Sequence, residues 1–314
     1  MTICGLIFPM LHFITLIYYD WTFDSILPHW WFLHGTFAIF WYQTIDAVDG
    51  KQARKTDNCS PLDLDQISYT IIFLSVCTLC RTGHDFWTIV MLMPAVFTPH
   101  YSIEYRKHFT KIHVTVVGLF GATESMLIMM TGFMGCYFHS EANQVEFLGF
   151  QMNVVKIILY GSFISGLHYN LTNIYFGFNG APTTERAIQA IYPYVQLYFM
   201  AYLQQYSQFY TKMPMIFYAG LGIYQTYVAG LLNISSTAEI PFQYHYWEAY
   251  TYIVLILIDF NRLLPAQFLV GGYIFLVIVI SIKYGLFLYS IITQLTSYLG
   301  IKLLKVKQTS KKVK

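Results

Sequence analysis

Long, mostly apolar runs recur along the chain, and short polar segments separate them. The runs at 114–131, 154–171 and 187–210 are each close to the ~20 apolar residues that a helix needs to cross a bilayer. The pattern predicts an all-α fold, a polytopic bundle of about ten transmembrane helices. The predicted spans are 3–19, 29–46, 67–80, 86–102, 114–134, 154–172, 187–209, 213–231, 249–260 and 267–298. Because the ninth span is short and the tenth is long, the division between these two stays open.

The composition leads to the same conclusion. Hydrophobic residues make up 56% of the chain and charged residues only 11%, whereas soluble domains carry about a quarter charged residues. A water-soluble domain is therefore excluded, and membrane lipids are the expected surroundings. We predict one transmembrane domain over 1–300 and a basic tail over 301–314, with no nucleic-acid partner.

Lysine and arginine concentrate after the second and fourth predicted spans and in the tail. They are Lys51, Arg54, Lys55, Arg106, Lys107, Lys111, Lys302, Lys305, Lys307, Lys311, Lys312 and Lys314. The opposite connecting segments are poorer in these residues and hold Arg81, Lys212 and Arg262. Because short cytosolic loops are enriched in Lys and Arg, we predict that both termini lie on the cytosolic or matrix side.

Cys77 and Cys80 have the spacing of a metal or redox pair. They lie in a hydrophobic run, however, without a second cysteine pair or a histidine cluster beside them. Packing within the bundle is the better interpretation of both thiols.

Two carboxylates, Asp46 and Asp49, close the otherwise apolar stretch 32–45. At this spacing they share one helical face, and burying like charges there is costly unless a cation neutralises them. Oxygen ligands favour Mg²⁺, Mn²⁺ or Ca²⁺. Gly50 allows a bulky group to approach the backbone, and Arg54 has the geometry to grip a phosphate. For the two acids alone, a polar membrane boundary without chemistry stays open.

The longer string around these acids is more specific. Residues 42–54 read YQTIDAVDGKQAR, and Ser60-Pro61-Leu62 follow shortly after. This segment resembles the CDP-alcohol phosphotransferases, whose signature is D-x2-D-G-x2-A-R-x8-G-x3-D-x3-D. The nearest branch is similar to choline/ethanolamine phosphotransferase.

The resemblance implies a ten-span membrane enzyme that moves a phospho-headgroup from CDP-choline or CDP-ethanolamine to diacylglycerol and releases CMP. In this family two divalent ions, Mg²⁺ or Mn²⁺, bridge four aspartates and the donor diphosphate. The resemblance therefore implies that Asp46 and Asp49 are metal ligands. It also implies that Gly50, Ala53 and Arg54 contact the CDP diphosphate.

Two further acids, Glu104 and Glu124, lie at positions similar to those near the family's substrate cavity. There they would bind an amino-alcohol headgroup, and a structural role as buried acids is an equal alternative. The histidines at 12, 34, 100, 108, 113 and 168 lie in or beside predicted spans without metal-ligand spacing, and we interpret them as packed or interfacial residues.

The second half of the signature is broken. Without gaps, its glycine falls on Asp63, and its third and fourth aspartates fall on Ile67 and Ile71. With four residues removed, Asp63 becomes the third aspartate and Ile67 takes the fourth position.

Removing two residues gives a third registration. Asp65 then becomes the third aspartate, Gln66 replaces the family's histidine base, and Tyr69 takes the fourth position. Every registration therefore lacks at least one metal-ligating aspartate, although Asp57 or Asp63 could supply a carboxylate after a loop rearrangement.

We therefore expect a weak or inactive relative of these enzymes that serves as a lipid-contacting subunit of a larger membrane complex or as a homodimer. The alternative is an active ethanolamine or choline phosphotransferase. A transporter is less favoured because the membrane acids cluster at one interface instead of lining a path. The family analogy predicts the endoplasmic reticulum or Golgi, and an accessory subunit could instead lie in the mitochondrial inner membrane.

Overall fold

In the computed structural model, the described residues are 2–56, 66–83, 85–118, 120–138, 144–147, 150–243 and 247–299. Nearly all of them are helical. The helices are α1 Thr2–Tyr19, α2 His29–Thr56, α3 Gln66–Leu79, α4 Phe86–Leu92, α5 Pro99–Thr110, α6 Ala122–Phe138, α7 Val154–Gly180, α8 Thr184–Leu203, α9 Gln208–Lys212, α10 Pro214–Thr237, α11 Trp247–Phe260 and α12 Ala266–Leu299. A π-helix at Met93–Phe97 joins α4 to α5, and a 3₁₀ turn at Gln204–Tyr206 follows α8.

Two short antiparallel hairpins are the only sheet structure in the described part of the chain. β1 Val116–Val117 pairs with β2 Phe120–Gly121, and β3 Gln144–Phe147 pairs with β4 Phe150–Asn153. The all-α fold is therefore confirmed. The basic tail 301–314 lies outside the described residues.

Each of the ten predicted spans coincides with a helix or a broken pair of helices. The fifth prediction began too early, because 114–118 and 120–121 hold a loop and the paired strands β1 and β2 before α6. Gly118 adopts a positive φ of 63° there, a backbone conformation that glycine takes without steric cost. The tenth prediction is one unbroken helix, α12.

The chain is a membrane protein, and its helices differ in how clearly they qualify as spans. Within the described residues, two helices are long and apolar enough to cross a bilayer, namely α10 and the part of α12 up to Tyr298. A third qualifies if the helical pair Phe86–Phe97 and Pro99–Thr110, bent by 45°, is counted as one span. The total of about ten spans stays a prediction.

The bend before α5 is held by α7. The two prolines of this segment, Pro94 and Pro99, supply no backbone N–H, and the Pro94 carbonyl accepts a hydrogen bond of 2.8 Å from the Asn170 amide. The Thr98 hydroxyl donates to the Met93 carbonyl at 3.2 Å. Side-chain bonds from a neighbouring helix thus satisfy backbone groups that a regular helix would satisfy itself.

Helix directions decide which termini meet. α1 and α2 are antiparallel, since the Trp41 indole donates to the Cys4 carbonyl at 2.8 Å and Tyr19 meets Trp30 at the other end. α6 is also antiparallel to α2, because His29 at the start of α2 contacts the carbonyl of Tyr137 at the end of α6. The carboxyl half of α2 and the amino end of α6 therefore lie at the same end of the bundle.

α3 begins at this same end. Just beyond its last turn, the Gly83 amide donates to the Phe23 carbonyl at 3.0 Å, and Phe23 follows the carboxyl end of α1. The carboxyl halves of α5 and α10 also meet at this end, where Lys107 donates to the Asn233 side chain. This end, defined by the carboxyl half of α2 and the first turns of α3 and α6, is called the signature end below.

Candidate functional site

The first half of the signature is helical. Asp46, Asp49 and Gly50 belong to α2, which continues to Thr56. Asp46 is exposed and Asp49 half-buried. Helical backbone at both positions supports the shared face that their spacing predicts.

Several predicted site residues lie wholly or partly outside the described part. Asp63 and Asp65 fall between 57 and 65, which the structure does not describe. Ala53 and Arg54 belong to α2 and Gln66 begins α3, but their side chains are also outside the description. Their roles at the diphosphate, metal or base position stay predictions.

The positions that could have carried the fourth aspartate are described, and all three are packed. Ile71 is buried, and Ile67 packs against the hydrophobic core. Tyr69 stacks on His100 with ring centroids 5.0 Å apart and an angle of 21° between the planes. Whichever registration applies, the fourth position therefore holds an aliphatic or aromatic side chain in contact with its neighbours.

A two-metal site therefore fits the described residues only in part. Among them, no group of three or more His, Cys, Asp or Glu side chains is arranged to hold a metal ion. Asp46 and Asp49 supply two carboxylates on one helix, which is half of the four that the signature requires. Cys77 and Cys80 are free thiols, buried and half-buried, as the packing interpretation predicts.

A cavity lies beside Tyr69 at the signature end. α3, the bend before α5, α6 and α7 enclose it, and most of its wall is apolar. The lining residues include Tyr69, Ile72, Val96, His100, Ile103, Gly121, Ser125, Met126, Met129 and Tyr169. This cavity is called the α3–α6 cavity below.

Two buried polar atoms, one in the cavity wall and one beside Gly121, have no hydrogen-bond partner among the described residues. One is Nε2 of His100, whose side chain is 6% exposed and lines the cavity. The other is Oε2 of Glu124. A Cβ placed on Gly121, which lines the cavity, would lie 2.8 Å from this oxygen. Buried polar atoms normally have partners, and of these two residues only His100 lines the cavity.

Glu104 has a different role from Glu124. It is buried, and its carboxylate accepts from the Lys107 ammonium at 3.3 Å. The same ammonium donates to the Asn233 side chain of α10 at 3.2 Å. These contacts make Glu104 a structural acid that joins α5 to α10, whereas one carboxylate oxygen of Glu124 has no hydrogen-bond partner among the described residues.

Basic side chains of α5 and of the residue after it are likewise held by neighbouring helices. Arg106 donates to the side-chain Oδ1 of Asn173 on α7 at 3.3 Å, and its guanidinium lies 4.5 Å from the centre of the Phe176 ring. Lys111 donates to the Ser236 carbonyl at 3.0 Å. These contacts fix positive charge at the signature end, and the cytosolic orientation of that end stays a prediction.

His100 was interpreted from the sequence as a packed or interfacial residue. It is packed, and it also lines a cavity with one ring nitrogen unpartnered among the described residues, which sequence reasoning missed. No local signal could have distinguished it, because the cavity wall opposite is built by α6 and α7.

Comparison with known proteins supports the resemblance read from the signature. No family model matches the chain. Cholinephosphotransferase 1 of Saccharomyces cerevisiae is 26% identical over 178 residues, 52% of this chain and 45% of the relative. Cholinephosphotransferase 1 of Danio rerio is 26% identical over 207 residues, 60% and 52% of the two chains.

A third relative is an uncharacterized CDP-alcohol phosphatidyltransferase class-I family protein of Dictyostelium discoideum. It is 30% identical over 176 residues, 52% of this chain and 44% of the relative. The chain thus spans about half the length of the curated relatives it matches. The resemblance to the CDP-alcohol phosphotransferases is confirmed at this level.

Proposed function

Because the chain is related over about half of its length to cholinephosphotransferases and CDP-alcohol phosphatidyltransferase class-I proteins, we propose that it is a CDP-alcohol phosphotransferase-like membrane protein with little or no transferase activity. We propose that it serves as a lipid-contacting subunit of a larger membrane complex. The single observation that supports weak catalysis most is the packing of Ile67, Tyr69 and Ile71 where a fourth aspartate would be needed.

Two chemical arguments support weak catalysis, one from the charge of the metal site and one from proton transfer. Divalent ions supply the neutralisation of phosphate charge in this class of reaction. Two such ions held by three carboxylates are bound more weakly than by four. Glutamine at position 66 also has no basic atom to accept the proton of the lipid hydroxyl, and loss of a general base often costs about 10²–10⁴ in rate.

A gain-of-function experiment tests this proposal. We expect the purified wild-type chain, with Mg²⁺ or Mn²⁺, to transfer little labelled CDP-choline or CDP-ethanolamine headgroup to diacylglycerol. The double variant Gln66→His/Tyr69→Asp is expected to raise transfer at least about 10-fold, because it restores a base and a carboxylate. Gln66→Asn/Tyr69→Phe is the matched control and should stay at the wild-type level. Wild-type turnover equal to that of the yeast relative assayed alongside would rule the proposal out.

The proposed subunit role is tested separately by the size of the particle that contains the chain. The tagged chain isolated from its native membranes should migrate on a native gel as a larger particle than the same chain expressed alone. Equal sizes in the two preparations would contradict a complex with other proteins, and a doubled mass in both would indicate a homodimer.

An active ethanolamine or choline phosphotransferase is the second candidate. The observation that favours it is a pair of buried atoms without partners among the described residues, His100 Nε2 in the wall of the α3–α6 cavity and Glu124 Oε2 beside Gly121. A site that had lost all function would be expected to fill or neutralise such atoms, because leaving them unpaired costs about 1–3 kcal/mol each. In this case Asp63 or Asp65 would complete the metal ligands with Asp46 and Asp49.

The second candidate makes a prediction of its own. Asp49→Asn is expected to abolish headgroup transfer, because it removes one of the two described carboxylates that a divalent ion would use. Asp24→Asn is the matched control, since Asp24 is exposed at the opposite end of the bundle, and it should transfer at the wild-type rate. Unchanged turnover in Asp49→Asn would exclude metal-dependent transfer at this site.

A further inference from the structure

A group of polar side chains lies at the end of the bundle opposite the signature end, where α11 turns into α12. Asp259 belongs to the last turn of α11. Its carboxylate accepts hydrogen bonds from the Ser207 hydroxyl at 2.6 Å and from the Phe209 N–H at 3.2 Å. The next residue, Tyr210, donates to the Gly83 carbonyl at 3.3 Å, which places the group at the same end as the residue after α3.

The negative charge of Asp259 has no counter-charge within the described part of the chain. The residue is only 2% exposed, and no ion pair joins it to a described Lys, Arg or His side chain. Both hydrogen bonds to its side chain end on the same oxygen, Oδ2. Because a buried carboxylate is costly unless it is paired, a cation from outside the chain would stabilise this position.

Arg262, three residues further on, carries a positive charge that is unpaired as well. It is exposed, and its guanidinium forms no hydrogen bond or ion pair with a described residue. The Arg262 and Leu263 amides donate to the carbonyls of Asp259 and Ile258 at 3.0 and 3.1 Å, the pattern with which helices commonly end on a glycine. Arg262 therefore has a positive φ of 53°, which costs a residue with a side chain more than it costs glycine.

An open cavity of about 340 Å³ lies between these charged residues and the start of α12. It is lined by Gln208, Asp259, Arg262, Leu264, Ala266 and Leu269, and it is called the α11–α12 cavity below. Small-molecule sites usually measure about 300–1,000 Å³, so this cavity suits a small polar group. Leu263, Leu264 and Phe268 are exposed around it and offer an apolar surface on which hydrocarbon chains can lie.

The chemistry of the lining selects one kind of headgroup. A guanidinium binds phosphate oxygens, and a carboxylate accepts charge-assisted hydrogen bonds from the N–H groups of a primary ammonium. A quaternary ammonium has no N–H group and is usually held by aromatic rings. None of the described residues that line the cavity is aromatic. The lining therefore favours a primary ammonium over a trimethylammonium.

We infer that the α11–α12 cavity binds the headgroup of a phospholipid that carries a primary ammonium. The ammonium pairs with Asp259 and the phosphodiester with Arg262, while the acyl chains lie along the exposed leucines. The inference rests on the lipid-contacting part of the proposed function, and it does not require transferase activity.

The first test measures lipid binding by the purified, delipidated full chain in detergent. Native mass spectrometry gives apparent Kd values for short-chain phosphatidylethanolamine and for phosphatidylcholine with the same chains. We expect phosphatidylethanolamine to bind at least about 10-fold more tightly, because only its ammonium can donate hydrogen bonds to Asp259. Glycerophosphoethanolamine, which has the same headgroup without chains, should bind at least about 10-fold more weakly than the lipid.

Two variants locate the site. Arg262→Gly is expected to weaken the binding of phosphatidylethanolamine at least about 10-fold. It should unfold near the wild-type temperature, because glycine adopts the φ of this position without steric cost. Lys212→Gln is the matched control, since it removes the charge of an exposed lysine at the same end that does not line the cavity. This control should bind the lipid as the wild-type chain does.

Three results would overturn the inference. They are wild-type affinity in Arg262→Gly, equal affinity of the wild-type chain for the two lipids, and binding of glycerophosphoethanolamine as tight as that of the lipid. The last would mean that the site recognises a free headgroup. The native-gel comparison of particle size is independent of these measurements. A chain that binds no phosphatidylethanolamine but migrates in a larger particle would overturn the inference and leave the proposed subunit role intact.

Discussion

Replacing Lys283 by Met is expected to lower the free energy of unfolding by about 3–5 kcal/mol. Lys283 of α12 forms an ion pair with Glu248 in the first turn of α11, and the Glu248 side chain is only 1% exposed. The ammonium also lies 4.9 Å from the centre of the Tyr227 ring of α10. Removing the ammonium leaves a carboxylate buried among three helices without its counter-charge, and the cost of that burial destabilises the fold.

The control variants isolate the charge. Lys283→Met/Glu248→Gln should recover most of the lost stability, because it removes both charges together. Lys212→Met changes an exposed lysine and should leave stability within about 0.5 kcal/mol of wild type. Chemical unfolding in detergent, followed by tryptophan fluorescence, measures all three. A Lys283→Met variant as stable as wild type would show that the carboxylate is solvated or protonated in the native state.

Replacing Gly166 by Leu is expected to lower the free energy of unfolding by about 3 kcal/mol or more, at or above the upper end of the usual cost of overpacking. Gly166 is where α7 packs against the π-helix. A Cβ there would overlap the Pro94 carbonyl and lie 2.7 Å from the Ala95 Cα. Because the overlapping atoms belong to the backbone, no side-chain rotation can relieve the clash. Separating the helices would also break the bond from Asn170 to the Pro94 carbonyl.

A matched position exists on the same helix. Gly161 is exposed and has no heavy atom within 4 Å of a Cβ built on it, so Gly161→Leu should unfold at or slightly above the wild-type temperature. Thermal unfolding of the two variants in detergent compares them directly. Equal melting temperatures for Gly166→Leu and Gly161→Leu would mean that α7 does not pack tightly on the bend.

The sequence predicts the helices well because each apolar run is long enough to be read locally. It does not predict the break before α5 in the same way. Pro94 and Pro99 are visible in the sequence, but the π-helix depends on Asn170, which a distant segment of α7 supplies. The early start predicted for α6 has a similar cause, since an apolar stretch can form a hairpin as well as a helix.

At the candidate site, local spacing predicts one part and tertiary contact decides the rest. The spacing of Asp46 and Asp49 within one helix can be read directly. Glu104 and Glu124 look equivalent in the sequence, yet only Glu104 meets Lys107. Whether His100 lines a cavity likewise depends on which helices surround it. Such differences arise from which helix becomes a neighbour, and single-sequence patterns do not contain that information.

The continuation of α2 to Thr56 has a consequence for how the signature could be lost. Within a helix, deleting one residue rotates everything beyond it by about 100°, which would change where position 54 lies around the helix relative to Asp46 and Asp49. Between α2 and α3, a deletion changes only which residue arrives at the start of α3, because connecting segments tolerate changes in length. The departures from the family pattern fall between α2 and α3 or within α3, and they leave the first half of the signature, on α2, intact. Because these changes lie beyond α2, the packing of α2 against its neighbours can persist while the second half of the signature changes.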